Sequence, residues 1–137
     1  MIARGLLSHP PADSAALRVP GDARERAALG YLHANCAHCH NQARPKTDGP
    51  RCYDPRKTFD FSLHVAELAE VAQTATYRTA LIDADVVVRG KPDQSSLVMR
   101  MKSRAGNSVI NEQMPPLATE RVDDEGVAAV RTWIEGL

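Results

Sequence analysis

Apolar and polar positions alternate at helical spacing near the beginning of the chain. Asp22 is followed three residues later by Glu25, which is the spacing of a capping box and marks the start of a helix. The apolar positions behind this start recur every three or four residues; they are Ala28, Tyr31, Leu32 and Cys36. This pattern predicts a first helix over residues 22–37.

A second stripe lies at the end of the chain. Asp123 precedes Asp124 and Glu125, and acidic residues in a first turn interact favourably with the helix dipole. The apolar stripe behind them consists of Val127, Val130, Ile134 and Leu137. We predict a last helix that begins at Asp123 and buries this stripe.

The middle of the chain gives weaker signals. Residues 41–60 and 104–121 mix prolines and glycines with polar residues and are predicted loops. The alanine-rich stretch 61–75 predicts a helix, with apolar positions at Leu63, Val65, Leu68 and Val71. Residues 86–92 predict an extended piece that ends in a turn. Residues 93–96 can cap a further short helix, whose apolar positions are Leu97, Val98 and Met101.

The composition is that of one ordinary domain of 137 residues. Residues 1–21 are rich in proline without a sustained period and are predicted to be a lead-in segment or linker before a domain over residues 22–137. Lys+Arg and Asp+Glu both number 17, so the total charge shows no nucleic-acid footprint. No apolar run approaches the roughly 20 residues that span a bilayer, so no membrane span is expected in this chain.

The first residues do not resemble a secretory signal peptide. Such a signal needs an apolar stretch of about 7–15 residues, whereas Ser8-His9-Pro10-Pro11 interrupts the start of this chain. We expect a mature form, an excised domain, or a protein that stays inside the cell.

The candidate chemistry lies in Cys36-Ala37-His38-Cys39-His40. Cys-x-x-Cys-His is the attachment signature of a c-type haem. Two thiols on one helical turn can both reach the porphyrin edge and form thioethers, and the following His40 is then aimed at the iron. Two other interpretations stay open: a zinc site of Cys36, Cys39, a histidine and Cys52, and a redox dithiol.

A second iron ligand is expected in the C-terminal half. Met114 lies in Gln113-Met114-Pro115-Pro116, a stiff loop where a core-filling methionine has little use. A Met thioether opposite His raises the reduction potential of a haem. Met99 and Met101 lie in a predicted helix and are interpreted as core filling, and His64 is the rival sixth ligand.

Taken together, these motifs resemble the class I cytochrome c family over most of residues 22–137. The matching pieces are the helix ending in Tyr31–His40, then Gly90–Leu97, then Met114-Pro115-Pro116, and last Val127–Ile134 around Trp133. The chain looks especially like c-type haem domains attached to, or partnered with, secreted bacterial dehydrogenases.

The resemblance implies an all-α fold with haem as its core. Cys36 and Cys39 would be the thioether anchors of one haem c, and His40 and Met114 the axial ligands. It also implies that the first and last helices cross at Gly30 against Trp133. The chain departs from the family in residues 41–90, because 74 positions separate His40 from Met114, which implies an enlarged middle segment.

These observations lead us to expect an electron carrier and no enzyme, or the haem domain or subunit of a larger oxidoreductase. Its partner would be another redox protein or domain, such as a dehydrogenase or terminal oxidase, and its location periplasmic or otherwise exported. The first alternative is a haem enzyme or sensor with an open or displaceable sixth site. The second is a zinc-binding interaction module that uses Cys36, Cys39 and Cys52.

Overall fold

Helices make up the regular structure of the described part of the chain. The computed structural model describes residues 18–43, 58–82, 85–104, 113–116 and 119–137. The α-helices are α1 (Ala23–Asn35), α2 (Ala75–Thr79), α3 (Ser96–Lys102) and α4 (Asp124–Glu135), and short 3-10 turns occupy Val65–Glu67, Val71–Gln73 and Pro92–Gln94. Within these ranges there is no strand, which confirms the all-α prediction. None of the helices found there is long and apolar enough to cross a membrane. Most of the predicted lead-in segment, residues 1–21, lies outside the described residues.

Helix α1 is fixed at its start by the predicted capping box. The Asp22 carboxylate accepts hydrogen bonds from the N–H groups of Arg24 (2.8 Å) and Glu25 (2.9 Å), and the Glu25 carboxylate accepts one from the Asp22 N–H (2.7 Å). These contacts satisfy N–H groups that have no partner inside the helix. The observed start agrees with the predicted one.

Helix α4 packs against α1 and supplies the largest buried side chain of the core. Asp123 caps it, because its carboxylate accepts a hydrogen bond from the Gly126 N–H (3.0 Å). The predicted stripe is confirmed: Val127, Val130 and Ile134 are buried with Trp133, and Leu137 packs beside them. The same core cluster takes Ala28 and Leu32 from α1, Phe61 and Ala80 from the middle segment, and Leu97, Val98 and Met101 from α3.

The close approach of α1 and α4 is at Gly126, and the predicted crossing at Gly30 is wrong. A Cβ atom at Gly30 would have open space around it, whereas one at Gly126 would collide with the ring of Tyr31. The small residue that this contact requires therefore belongs to the last helix. The Tyr31 ring fills the space beside Gly126, where burial raises the pKa of its hydroxyl to about 12 and the Asp123 carboxylate adds to the effect.

Three helices meet at the hydroxyl of Tyr77 in α2. It donates a hydrogen bond to the Glu25 carboxylate of α1 (2.9 Å) and accepts one from Trp133 Nε1 of α4 (3.0 Å). The rings of Tyr77 and Trp133 also lie 5.9 Å apart, centroid to centroid. Because Glu25 is also part of the α1 capping box, Tyr77 links the start of α1 to the buried Trp133 through hydrogen bonds.

The turn predicted before α3 is confirmed. It also forms a hydrogen bond with a carbonyl near the end of α4. Gly90 has a φ of +68°, a conformation that favours glycine, and its N–H donates to the Ile134 carbonyl near the end of α4 (2.9 Å). Ser95 is the N-cap of α3, but its hydroxyl makes no cap hydrogen bond. It accepts instead from the Val88 N–H (2.9 Å) and donates to the Lys91 carbonyl (3.0 Å), which holds the turn together.

The predicted helix over Phe61–Ala75 is wrong. Residues 61–64 are not helical, and the region contains two separate 3-10 turns before α2 begins at Ala75. The apolar positions do not form a buried stripe, since Val65 is 70% exposed and Leu63 and Leu68 are half-buried. Without a core-facing stripe, the helix propensity of alanine does not suffice to form a long helix.

We expect opposite effects from the same substitution at the two glycines. Gly30→Ala should stabilise the protein by up to about 1 kcal/mol, because alanine is the better helix former and its methyl group meets nothing. Gly126→Ala should destabilise it by about 1–3 kcal/mol, because the Tyr31 ring must move away from α4. Denaturant unfolding measures both changes. Equal effects at the two positions would contradict the contact between Gly126 and the Tyr31 ring. An unchanged destabilisation by Gly126→Ala in a Tyr31→Ala background would contradict it too.

Candidate functional site

Residues Cys36–His40 form one further turn on the end of α1. The Cys36 N–H still donates to the Leu32 carbonyl (2.9 Å), so the chain leaves the helix without a break. The Cys36 carbonyl then accepts hydrogen bonds from the N–H groups of Cys39 (3.1 Å) and His40 (2.8 Å). This bonding places Cys36 and His40 one turn apart on the same side, with Cys39 beside them. The structure thus brings together three of the four predicted haem-binding residues.

The two cysteines differ in environment and are not joined by a disulfide. Cys39 is exposed and Cys36 is half-buried. Burial raises the pKa of the Cys36 thiol to about 12, and the nearby Cys39 adds to the shift. A redox dithiol depends on an attacking thiol with a depressed pKa. The environment of Cys36 therefore does not favour this thiol as the attacking one.

The half-buried His40 imidazole lies against two aromatic rings. The Phe59 ring stacks on it at 4.7 Å between centroids with 27° between the planes, and the Phe61 ring meets it edge-on at 5.8 Å. The two phenylalanine rings are themselves 5.3 Å apart. His40 thus lies against an apolar, aromatic wall formed by these two rings.

The segment that carries these rings is bonded to α1 and to the turn after it. The Phe61 N–H donates to the His40 carbonyl (3.0 Å), and the Leu63 N–H donates to His33 Nδ1 (3.2 Å). His33 therefore holds the middle segment against α1. Its position in the sequence did not predict this contact.

Asp60 links the same segment to α2. It is 1% exposed, its Oδ1 accepts the Ser62 N–H (2.7 Å), and its own N–H donates to the Thr79 hydroxyl of α2 (2.8 Å). Burial acts to raise the pKa of Asp60, but the hydrogen bonds from Ser62 and the nearby His64 outweigh it, so this pKa lies below the ordinary 3.8. Asp60 is therefore a buried anion that its neighbours stabilise.

Met114 lies on a separate segment that is attached to α3. Its side chain is half-buried, and its N–H donates to the Arg100 carbonyl (3.0 Å). The Met114–Pro115 peptide bond is cis. The Gln113 amide donates to Thr119 (2.6 and 2.7 Å), whose hydroxyl donates to the Pro115 carbonyl (2.9 Å). Among the described residues, no hydrogen bond links Met114 to the Cys36–His40 turn.

The other sulfur and imidazole candidates lie in different surroundings. Met101 is buried, as predicted for core filling, whereas the same prediction for Met99 is wrong because its side chain is 52% exposed. The core-facing side of α3 is formed by Leu97, Val98 and Met101, and residue 99 falls outside it. The half-exposed His64 has its Nε2 3.7 Å from the Asp60 carboxylate.

The donor groups of the Cys36–His40 turn match what a haem would require from the chain. Within the described ranges, no three His, Cys, Asp or Glu side chains are grouped as a metal site would need, and Cys52 of the zinc alternative lies outside them. A haem needs fewer groups from the chain, since its porphyrin supplies four iron ligands. Two unbridged thiols on one turn, with an imidazole in an apolar wall, have the chemistry that thioether attachment and axial ligation require.

Phe59, Phe61 and Asp60 are the site residues that the sequence analysis missed. The missed signal was the Asp60-Phe61-Ser62 sequence, because an aspartate that accepts the N–H two residues later forms an Asx turn and opposes a helix. Comparison of the whole chain with protein-family models, curated proteins and solved structures gave no match.

We predict that protonation of Asp60 accounts for part of the decrease in unfolding free energy at acidic pH. Because its pKa is lowered in the folded state, the carboxylate stabilises the fold above its unfolded-state pKa, and this contribution is lost as the pH falls through the folded-state pKa. In Asp60→Asn, the unfolding free energy should fall less steeply below pH 3.8, while the amide oxygen still accepts the Ser62 N–H. Asp93→Asn is the control, since Asp93 is exposed and its pairing with Arg131 is screened by salt. Denaturant unfolding across pH at high salt would refute the role of Asp60 if both variants followed the wild-type curve.

Proposed function

We propose that this chain is an electron carrier, or the electron-relay domain of a larger oxidoreductase, that holds one covalent haem c. The observation that carries the proposal is the Cys36–His40 turn, where two unbridged thiols and an imidazole continue α1 and the imidazole enters an aromatic wall. When bound, the haem would supply one-electron exchange between Fe(II) and Fe(III).

Each residue of the site has a distinct task in this proposal. Cys36 and Cys39 would hold the haem edge through thioethers, and His40 would be the proximal iron ligand. Met114, on the segment bonded to α3, would be the distal ligand, and a thioether there favours the reduced iron. With His40 and Met114 both bound to the iron, the haem would have no position for a substrate, which is why we propose a carrier rather than an enzyme.

The finer fold belongs to the same proposal. The packing of α1 on α4, with Trp133 in the core and the Cys-x-x-Cys-His turn directly after α1, supports a class I cytochrome c fold. In this interpretation the segment from Phe59 to Leu63 belongs to the enlarged middle of the chain and forms the proximal wall of the haem site.

The partner in this proposal is another redox protein or domain, such as a dehydrogenase or terminal oxidase, in the periplasm or elsewhere outside the cytoplasm. The proposed thioether attachment would require this location, because bacteria join haem c to its protein outside the cytoplasm. Contact with the partner would be small and brief, as in other electron-transfer encounters.

Three methionine variants test the ligand assignment in protein made in a host that attaches haem c. Met114→Ala should keep its haem but lose the long-wavelength Met–iron charge-transfer band, bind cyanide faster and have a lower reduction potential. Met101→Ala should cost about 2–5 kcal/mol of stability and leave the band in place. Met99→Ala, at an exposed position, should change stability by less than about 0.5 kcal/mol and leave spectrum and potential as they are.

The assignment of Met114 is wrong if its replacement leaves the band and the potential unchanged. If a His64→Ala variant alters both instead, His64 is the sixth ligand. If the wild-type protein binds cyanide as fast as Met114→Ala does, the sixth position is open, and a haem enzyme or sensor becomes the better interpretation.

A further inference from the structure

We infer that the segment Phe59–Leu63 is a clamp that fixes the rotation of the His40 imidazole, with Phe59 as its positioning residue. The inference rests on the proposed function, since it concerns His40 as an iron ligand. It assigns a task to a part of the middle segment that neither the Cys-x-x-Cys-His motif nor Met114 explains.

The rings give the first part of the argument. A stacked ring at 4.7 Å covers one face of the imidazole, and the edge contact with Phe61 at 5.8 Å limits the imidazole on another side. Aromatic pairs at such distances contribute beyond the area they bury, and their energy depends on the angle between the rings. Rotation of the imidazole about its Cβ–Cγ bond would break the stacking, so the two phenylalanines favour one orientation of its plane.

The rigidity of the segment gives the second part. Phe61 is 1% exposed, and its N–H is bonded to the carbonyl of His40 itself. On either side of this bond, Asp60 is bonded to Thr79 of α2 and Leu63 to His33 of α1. The backbone next to Phe59 is therefore hydrogen-bonded to His40, to α2 and to α1. These bonds restrain the position of the Phe59 ring, and the ring in turn restrains the imidazole.

The chemical consequence follows from the electronic structure of low-spin ferric haem. Together with the distal ligand, the plane of the proximal imidazole would determine how the unpaired electron is distributed over the porphyrin, and this distribution sets the hyperfine shifts of the four haem methyl groups. The orientation of the plane can therefore be read without any measurement of activity.

The test compares Phe59→Leu, Phe59→Tyr and Val65→Ala in the ferric holoprotein by proton NMR. Phe59→Leu removes the stacked ring but keeps an apolar side chain, and it should shift the haem methyl resonances and change their spread. Phe59→Tyr keeps the ring and should restore the wild-type pattern. Val65→Ala alters an exposed residue close in sequence and should leave the pattern unchanged. Thermal unfolding of all three variants shows whether they remain folded.

A folded Phe59→Leu protein with the wild-type methyl pattern would overturn the inference, and so would a Phe59→Tyr protein that shifts as far as Phe59→Leu. Should Phe59→Leu fail to fold, Phe59→Ile, which also removes the ring and keeps an apolar side chain, replaces it, and a folded Phe59→Ile protein with the wild-type methyl pattern would overturn the inference in the same way. A wild-type protein without covalent haem would refute the proposed function instead, so the two failures can be distinguished.

Discussion

The hydrogen bonds that the Cys36 carbonyl accepts from Cys39 and His40 decide the geometry of the candidate site. They extend α1 by one turn, so the direction of the helix determines where both thiols and the imidazole lie. That direction is set far from the site, by the capping box at Asp22 and by the packing of α1 on α4. Tyr77 joins these two ends through Glu25 and Trp133. Loss of this packing would therefore displace all three residues together.

The middle segment shields the His40 imidazole, which α1 alone cannot do. A helix end exposes its last side chains to solvent, and an imidazole there would be free to rotate and to bind other groups. The wall formed by Phe59 and Phe61 shields one side of His40, and the buried Asp60 keeps the wall in place by bonding to its own segment and to α2. An anion in the core is costly unless it is paired or hydrogen-bonded, and the Asp60 carboxylate accepts the Ser62 N–H and lies 3.7 Å from His64 Nε2.

The sequence predicted the elements whose signals are local. The caps at Asp22 and Asp123, the stripe of α4 and the turn at Gly90 depend on neighbouring residues, and the structure agrees with all of them. The helix predicted over Phe61–Ala75 failed because its apolar residues do not form a buried stripe: Phe61 is buried in the core, whereas Val65 is 70% exposed. The crossing expected at Gly30 failed because a mid-helix glycine does not show which partner approaches it, whereas the ring of Tyr31 shows this at Gly126.

For the site, the motif predicted Cys36, Cys39 and His40. The places of Phe59, Asp60 and His33 depend on contacts between residues distant along the chain.

The most direct measurement is the mass of the peptide that contains Cys36 and Cys39, from protein produced in a host that attaches haem c. Our account predicts that this peptide carries one haem, which acid–acetone does not remove, and that the peptide containing Cys52 is unmodified. A colourless protein whose mass equals that of the polypeptide, or one whose haem is extracted completely, would contradict it.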